Sequence, residues 1–62
     1  MNINSDNTIK LIELFDVQGR ILQTKIESNN NTTLDISNKA NGLYFIRITT
    51  ENGIKVEKVI KE

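Results

Sequence analysis

The sequence predicts a small all-β fold, an antiparallel β-sandwich of about five short strands. Three observations point there. Runs rich in isoleucine and other strand-forming residues recur along the 62-residue chain, separated by Asn, Asp and Gly clusters that favour turns. Two of those clusters, Asp16-Val17-Gln18-Gly19 and Asn52-Gly53, carry the chemistry of tight hairpin turns. No stretch repeats its apolar residues at helical spacing, and proline is absent.

Met1 to Asn7 is polar apart from Ile3 and reads as a tail or linker remnant ahead of a domain over residues 8–62. Ile9 to Phe15 reads as the first strand. Asp16 suits the first position of a type I turn and Gly19 its fourth, a loop closed by glycine in the left-handed region. Arg20 to Ile26 then returns. This register sets Leu14 opposite Leu22 and Ile12 opposite Thr24 on the core face, with Phe15 opposite Ile21 and Glu13 opposite Gln23 on the other. Glu27 to Asn31 reads as a polar loop, and Thr32 to Ile36 as a short strand with Leu34 and Ile36 on one side. Ser37 to Gly42 is a connection. Leu43 to Thr50 is the strongest strand, with Tyr44, Ile46 and Ile48 on one face. A type I′ turn at Asn52-Gly53 then sets Ile46 opposite Val59 and Phe45 opposite Ile60, with Ile54 and Val56 facing away from Val59.

Composition excludes several functions. Eight basic residues balance eight acidic ones, without a cationic face for nucleic acid. No apolar run approaches the ~20 residues of a membrane-spanning helix. No basic segment followed by an apolar one opens the chain as a secretory leader does. With neither histidine nor cysteine, there is no familiar nucleophile–base pair and no zinc cluster, so neither catalysis, metal nor cofactor is expected. The core of so short a chain barely offsets the cost of ordering it. Such a domain is expected to lean on a preceding domain, a partner chain or further N-terminal strands. Self-association through open strand edges is one form this takes.

Four segments resemble one family in the right order. Leu14-Phe15-Asp16-Val17-Gln18-Gly19-Arg20 resembles an apolar strand running into Asp/Asn-x-x-Gly-Lys/Arg. Leu34-Asp35-Ile36-Ser37 resembles a short middle strand, and Gly42-Leu43-Tyr44-Phe45-Ile46-Arg47-Ile48 a Gly-Val/Leu-Tyr motif followed by alternating apolar residues. Lys58-Val59-Ile60-Lys61 resembles a lysine-flanked apolar ending. The family is the type A C-terminal sorting domain of the type IX secretion system, and the resemblance runs from Ile9 to Glu62. It implies an immunoglobulin-like sandwich without catalytic activity, appended to an exported cargo protein. It also implies recognition by the outer-membrane translocon, removal by a sortase-like peptidase, and delivery through the periplasm to the cell surface or medium. Two features depart from the family pattern. Its usual Pro-Asn-Pro opening and one or two further strands are missing, which implies an N-terminally truncated domain, and Lys39 stands where an apolar residue is usual.

The residues singled out carry two readings each. Asp16, Gly19, Arg20 and Gly42 serve the turns, with recognition as the second role. Tyr44 reads as core with its hydroxyl at the rim, or as a recognition residue. Lys58 and Lys61 around Val59 and Ile60 read as guards of an edge strand or as a terminal signal. The Asn-x-Thr matches at residues 30–33 arise easily by chance in an asparagine-rich chain. The competing function is an adhesion or carbohydrate-binding sandwich of a secreted enzyme. Only three aromatics, Phe15, Tyr44 and Phe45, are available to stack on sugars.

Overall fold

A computed structural model describes all residues, Met1–Glu62. The chain is all-β, with strands β1 (Asn2–Phe15), β2 (Ile21–Thr33), β3 (Gly42–Thr50) and β4 (Gly53–Lys61) and no helix. All four lie in one antiparallel sheet in the order β2-β1-β3-β4. Four strands therefore stand where five were expected, and one sheet where two were.

The difference lies at the N-terminus and at the asparagine-rich stretch. Residues 2–7, expected to be a tail, are strand, and residues 27–31, expected to be a loop, continue β2. Each supplies the other's ladder: Asn2, Ile3 and Asn4 pair with Thr33, Thr32 and Asn31. The Leu34 N–H donates to the Met1 carbonyl at 2.8 Å, and the Met1 amino nitrogen donates to the Leu34 carbonyl at 3.1 Å. Backbone pairing of this kind does not need β-branched side chains, so a turn-prone composition is overridden once a partner strand is in place.

At about 3.3 Å per residue, β1 drawn straight would reach roughly 45 Å. The molecule's longest dimension is only 30 Å. β1 must therefore bend, and its register shows where: Ser5–Thr8 stand against little more than Asn30, between the Asn4–Asn31 and Ile9–Asn29 pairs. An irregularity of this kind bends a strand. The Glu51 N–H donates to the Thr8 carbonyl at 3.2 Å, and the Asn52 amide donates to Asn7 Oδ1 at 2.6 Å. These bonds fasten the bend to the β3–β4 turn.

The bend brings Ile3 into one core with Ile9, Ile12, Leu14, Leu34, Tyr44, Ile46 and Ile48, while Ile36 and Val59 pack at its margin. Leu34 and Ile36 both pack against this core, although their segment follows the end of β2 rather than forming a strand of its own. A second shift sets Ile9 opposite Thr50 but Leu11 opposite Thr49, leaving Lys10 without a partner in the ladder. Plain alternation would put Ile9 with Glu13 and Phe15. The extra residue flips it to the core side, where it is fully buried.

Both hairpins deviate from their expected registers. Phe15 pairs with Ile21 as expected, but the next pairs are Leu14–Gln23, Glu13–Thr24 and Ile12–Lys25. The ladder skips Leu22, so it is not opposite Leu14 and stays partly exposed. At the second hairpin Thr50 pairs with Gly53, so the loop is Glu51-Asn52 rather than Asn52-Gly53. No residue other than glycine has positive φ, which rules out the type I′ turn. Gly53 instead takes the glycine conformation, φ +147°, at the first position of β4. The pairs become Tyr44–Val59, Phe45–Lys58 and Ile46–Glu57. A slip of two residues preserves the faces, so Ile54 and Val56 still point away from Val59.

Candidate functional site

Two places hold the residues singled out by sequence, both at one end of the sheet: the Asp16 turn that follows β1, and the neighbouring start of β3 with the finish of β4. At the turn, the Gly19 N–H donates to the Asp16 carbonyl at 3.1 Å, and the Asp16 N–H donates to the Arg20 carbonyl at 3.1 Å. Gly19 has φ +84°, the left-handed backbone that favours glycine. Asp16 Oδ1 accepts from the N–H groups of Gln18 and Arg20 at 2.9 and 3.0 Å, and Oδ2 accepts from Arg20 Nε at 2.7 Å. Asp16, Gly19 and Arg20 therefore form one unit, and their turn role accounts for all three residue types.

The Arg20 backbone N–H, followed by its guanidinium and the Gln18 N–H, holds the Asp16 carboxyl below the usual aspartate range. The Thr32 hydroxyl, aided by Lys25, does the same for Glu27, and the Ser37 N–H does so for Asp35. Each carboxyl binds a proton less readily when folded than when unfolded. Their contribution to stability is therefore fully present above the unfolded values, near pH 4, and is lost as pH falls through the depressed folded values. The melting temperature, followed by circular dichroism, should drop between about pH 4 and pH 2. Asp16→Asn keeps an oxygen for the two N–H groups but cannot titrate, so its melting temperature should fall less steeply over that range. Parallel curves for the two proteins would contradict this role for Asp16.

At the same end of the sheet, beside the Asp16 turn, Gly42 opens β3 with φ +151° and pairs with Lys61. Tyr44 is buried, and its hydroxyl donates to the Ala40 carbonyl. That bond ties the 34–41 connection to the start of β3, so the core and rim roles expected of Tyr44 coincide. Val59 lies opposite Tyr44 at the core margin, and Ile60 lies opposite Leu43 on the outer face, 65% exposed. Lys58 is exposed opposite Phe45, and Lys61 Nζ lies 3.4 Å from Asn41 Oδ1. The Lys58–Lys61 segment thus has Val59 packed at the margin of the core, with Lys58 and Ile60 turned outward on an edge strand.

Sequence reasoning missed the pair at the centre of the outer face. Glu13 is buried there and accepts from Arg47 Nε and Nη2 at 2.8 and 2.9 Å. The two residues are direct neighbours across β1 and β3, and the guanidinium lies over the Phe15 ring, 5.1 Å from its centroid. The forked geometry satisfies a carboxylate that would otherwise be costly to bury. Each residue alone stood out in the sequence, an acid and a base that interrupt mid-strand apolar runs on the faces of Phe15 and Phe45, but nothing local joined the two.

A polar cleft of about 380 Å³ lies between the bend of β1 and β4, lined by Asn4, Asp6, Asn7, Lys55 and Glu57 among others. It gathers none of the residues expected to act in recognition.

A family model for the secretion system C-terminal sorting domain matches residues 1–62. The chain belongs to that family, the sorting domains of type IX secretion. The match takes in residues 1–8, which the sequence resemblance left out. No curated protein and no solved structure was found to match. Membership makes the chain a C-terminal sorting signal of a family that is non-catalytic in general, with interaction with the secretion machinery and export to the surface or medium implied.

Proposed function

We propose that this sorting domain carries a fused cargo across the outer membrane by presenting its terminal strand to the type IX translocon. The observation that carries the reading is the family match over the whole chain, joined to the position of Lys58-Val59-Ile60-Lys61 on an edge strand. Val59 anchors the segment against Tyr44, while Lys58 and Ile60 face outward and remain free to be read. Asp16, Gly19 and Arg20 act by holding the β1–β2 hairpin, and Gly42 by leading the chain into β3, rather than by direct contact. A sortase-like peptidase then removes the domain, and the cargo is released or retained at the surface. We read the stretch that returns over the core, residues 1–4 with 31–36, as the second layer of the immunoglobulin-like sandwich implied by the family resemblance.

The alternative, a carbohydrate-binding module, is less well supported. Tyr44 is buried, Phe45 is half-buried, and Phe15 is half-buried beneath Arg47. No aromatic ring offers an open stacking platform.

The test replaces Lys58 and Lys61 with glutamine in a periplasm-targeted fluorescent reporter fused to residues 1–62. Both lysines lie outside the core, so the fold should persist. Secretion into the medium by a type IX-competent bacterium should fall if their charge is read. Unchanged secretion, with an unchanged melting curve, would make them guards of the strand edge and overturn the charge-read signal.

A further inference from the structure

β4 is the sheet edge with the least protection against another strand. The opposite edge, β2, runs through three shifts in register with β1. Such irregularities twist an edge away from a partner. β4 pairs with β3 from Gly53 to Lys61 without a shift, and its far side has no neighbour in the sheet. Ile54, Val56 and Ile60 stand on its outer face, 66%, 61% and 65% exposed. Ile21 and Ile26 are exposed too, but on β2, at the opposite edge of the sheet.

We propose that the β4 edge docks a second copy of this chain, antiparallel, about a two-fold axis through Val56. The order of charges and the length of overlap select this register: centring on Val59 would also set Glu57 opposite Lys61, but over a shorter stretch of β4. Residues facing each other across antiparallel strands must share a face. Centring on Val56 sets Lys55 opposite Glu57 of the second copy, and symmetry repeats the pair. Ile54 then lies opposite Lys58, whose aliphatic stem can cover it. Lys61 comes level with Glu51 of the second copy. Centring on Glu57 would set Glu57 against itself. Centring on Lys58 would oppose two Lys58 residues and set Lys55 against Lys61, and centring on Lys55 would oppose two Lys55 residues. Directly opposed like charges destabilise a strand pair. Lys55 and Glu57 already touch within one chain at 3.1 Å, with their side chains 72% and 49% exposed. Both are therefore free to exchange partners across the edge. The contact is isologous and joins two sheets into one. A single added strand pair is small beside a standard interface of roughly 800 Å² per partner, so the association should be weak and is sought up to millimolar concentration.

Sedimentation equilibrium of the 62-residue chain, from low micromolar to millimolar concentration, tests the proposal. The native chain should form a reversible dimer, and Val56→Lys should abolish it by opposing two cations on the axis. Lys55→Glu alone, or Glu57→Lys alone, should weaken it about tenfold or more, because each creates like pairs. An equimolar mixture of these two single variants should associate where neither does alone, since the acids of one meet the bases of the other. The double variant Lys55→Glu/Glu57→Lys should dimerise like the native chain. Circular dichroism reports that each variant stays folded. A native chain that is monomeric at millimolar concentration overturns the proposal. So does a dimer indifferent to the single swaps, which would place the contact at β2 or face to face, and so does a mixture no tighter than its components.

Discussion

Deleting Lys58–Glu62 should abolish secretion of a fused reporter and lower the chain's melting temperature. Two causes act together. The deletion removes the β4 residues that pair with Gly42, Leu43, Tyr44 and Phe45, so the first half of β3 becomes an open edge. It also removes Val59, the residue opposite buried Tyr44. The damage is local: Ile46 and Ile48 keep Glu57 and Lys55 as partners, so most of the core stays covered. A fall in melting temperature with the β-sheet spectrum retained is the expected result. Comparison with the Lys58/Lys61 glutamine variant separates a lost strand from a lost signal. Should the shortened fusion be secreted as well as the intact one, the terminal segment is not what the translocon reads.

Leu34→Ala should cost the fold about 2–5 kcal/mol. Leu34 is 1% exposed and lies outside any strand, at the point where the chain leaves β2 to cross back toward β3. Its side chain helps join the returning stretch to Ile12, Leu14, Ile46 and Ile48. A core of this size supplies only about 3–5 kcal/mol in total, so one such cavity is comparable to the whole stability. Urea titration should find the variant largely unfolded without denaturant. Lys10→Ala, at an exposed position, should stay within about 0.5 kcal/mol of the native chain. Equal midpoints for Leu34→Ala and the native chain would mean that the stretch after β2 does not close the core.

What the sequence made legible follows from where local chemistry decides the outcome. The Asp16–Gly19 turn forms as read, because an aspartate acceptor and a left-handed glycine fix it locally. The faces of β3 are as read, because Tyr44, Ile46 and Ile48 alternate without interruption. The failures share one cause: a ladder is decided by its distant partner. Nothing local tells that Asn29–Asn31 will find Ile9 and Asn4, or that an unpaired Lys10 will turn Ile9 inward. The skipped Leu22 belongs with these, since a single bulge changes every pair beyond it. At the candidate site, the roles of Asp16, Gly19 and Tyr44 were readable because each acts within a few residues of itself. The Glu13–Arg47 pair was not, since it joins residues that become neighbours only when β3 lies beside β1.

The most direct test of the sorting role uses one fluorescent reporter, targeted to the periplasm with and without residues 1–62 at its C-terminus. Both are expressed in a type IX-competent bacterium and in its translocon-deficient derivative. Reporter fluorescence in cell-free medium is the measurement. The account predicts secretion only where the sorting domain and the translocon are both present. Equal fluorescence in the medium with and without the domain, or undiminished secretion in the translocon-deficient strain, would contradict it.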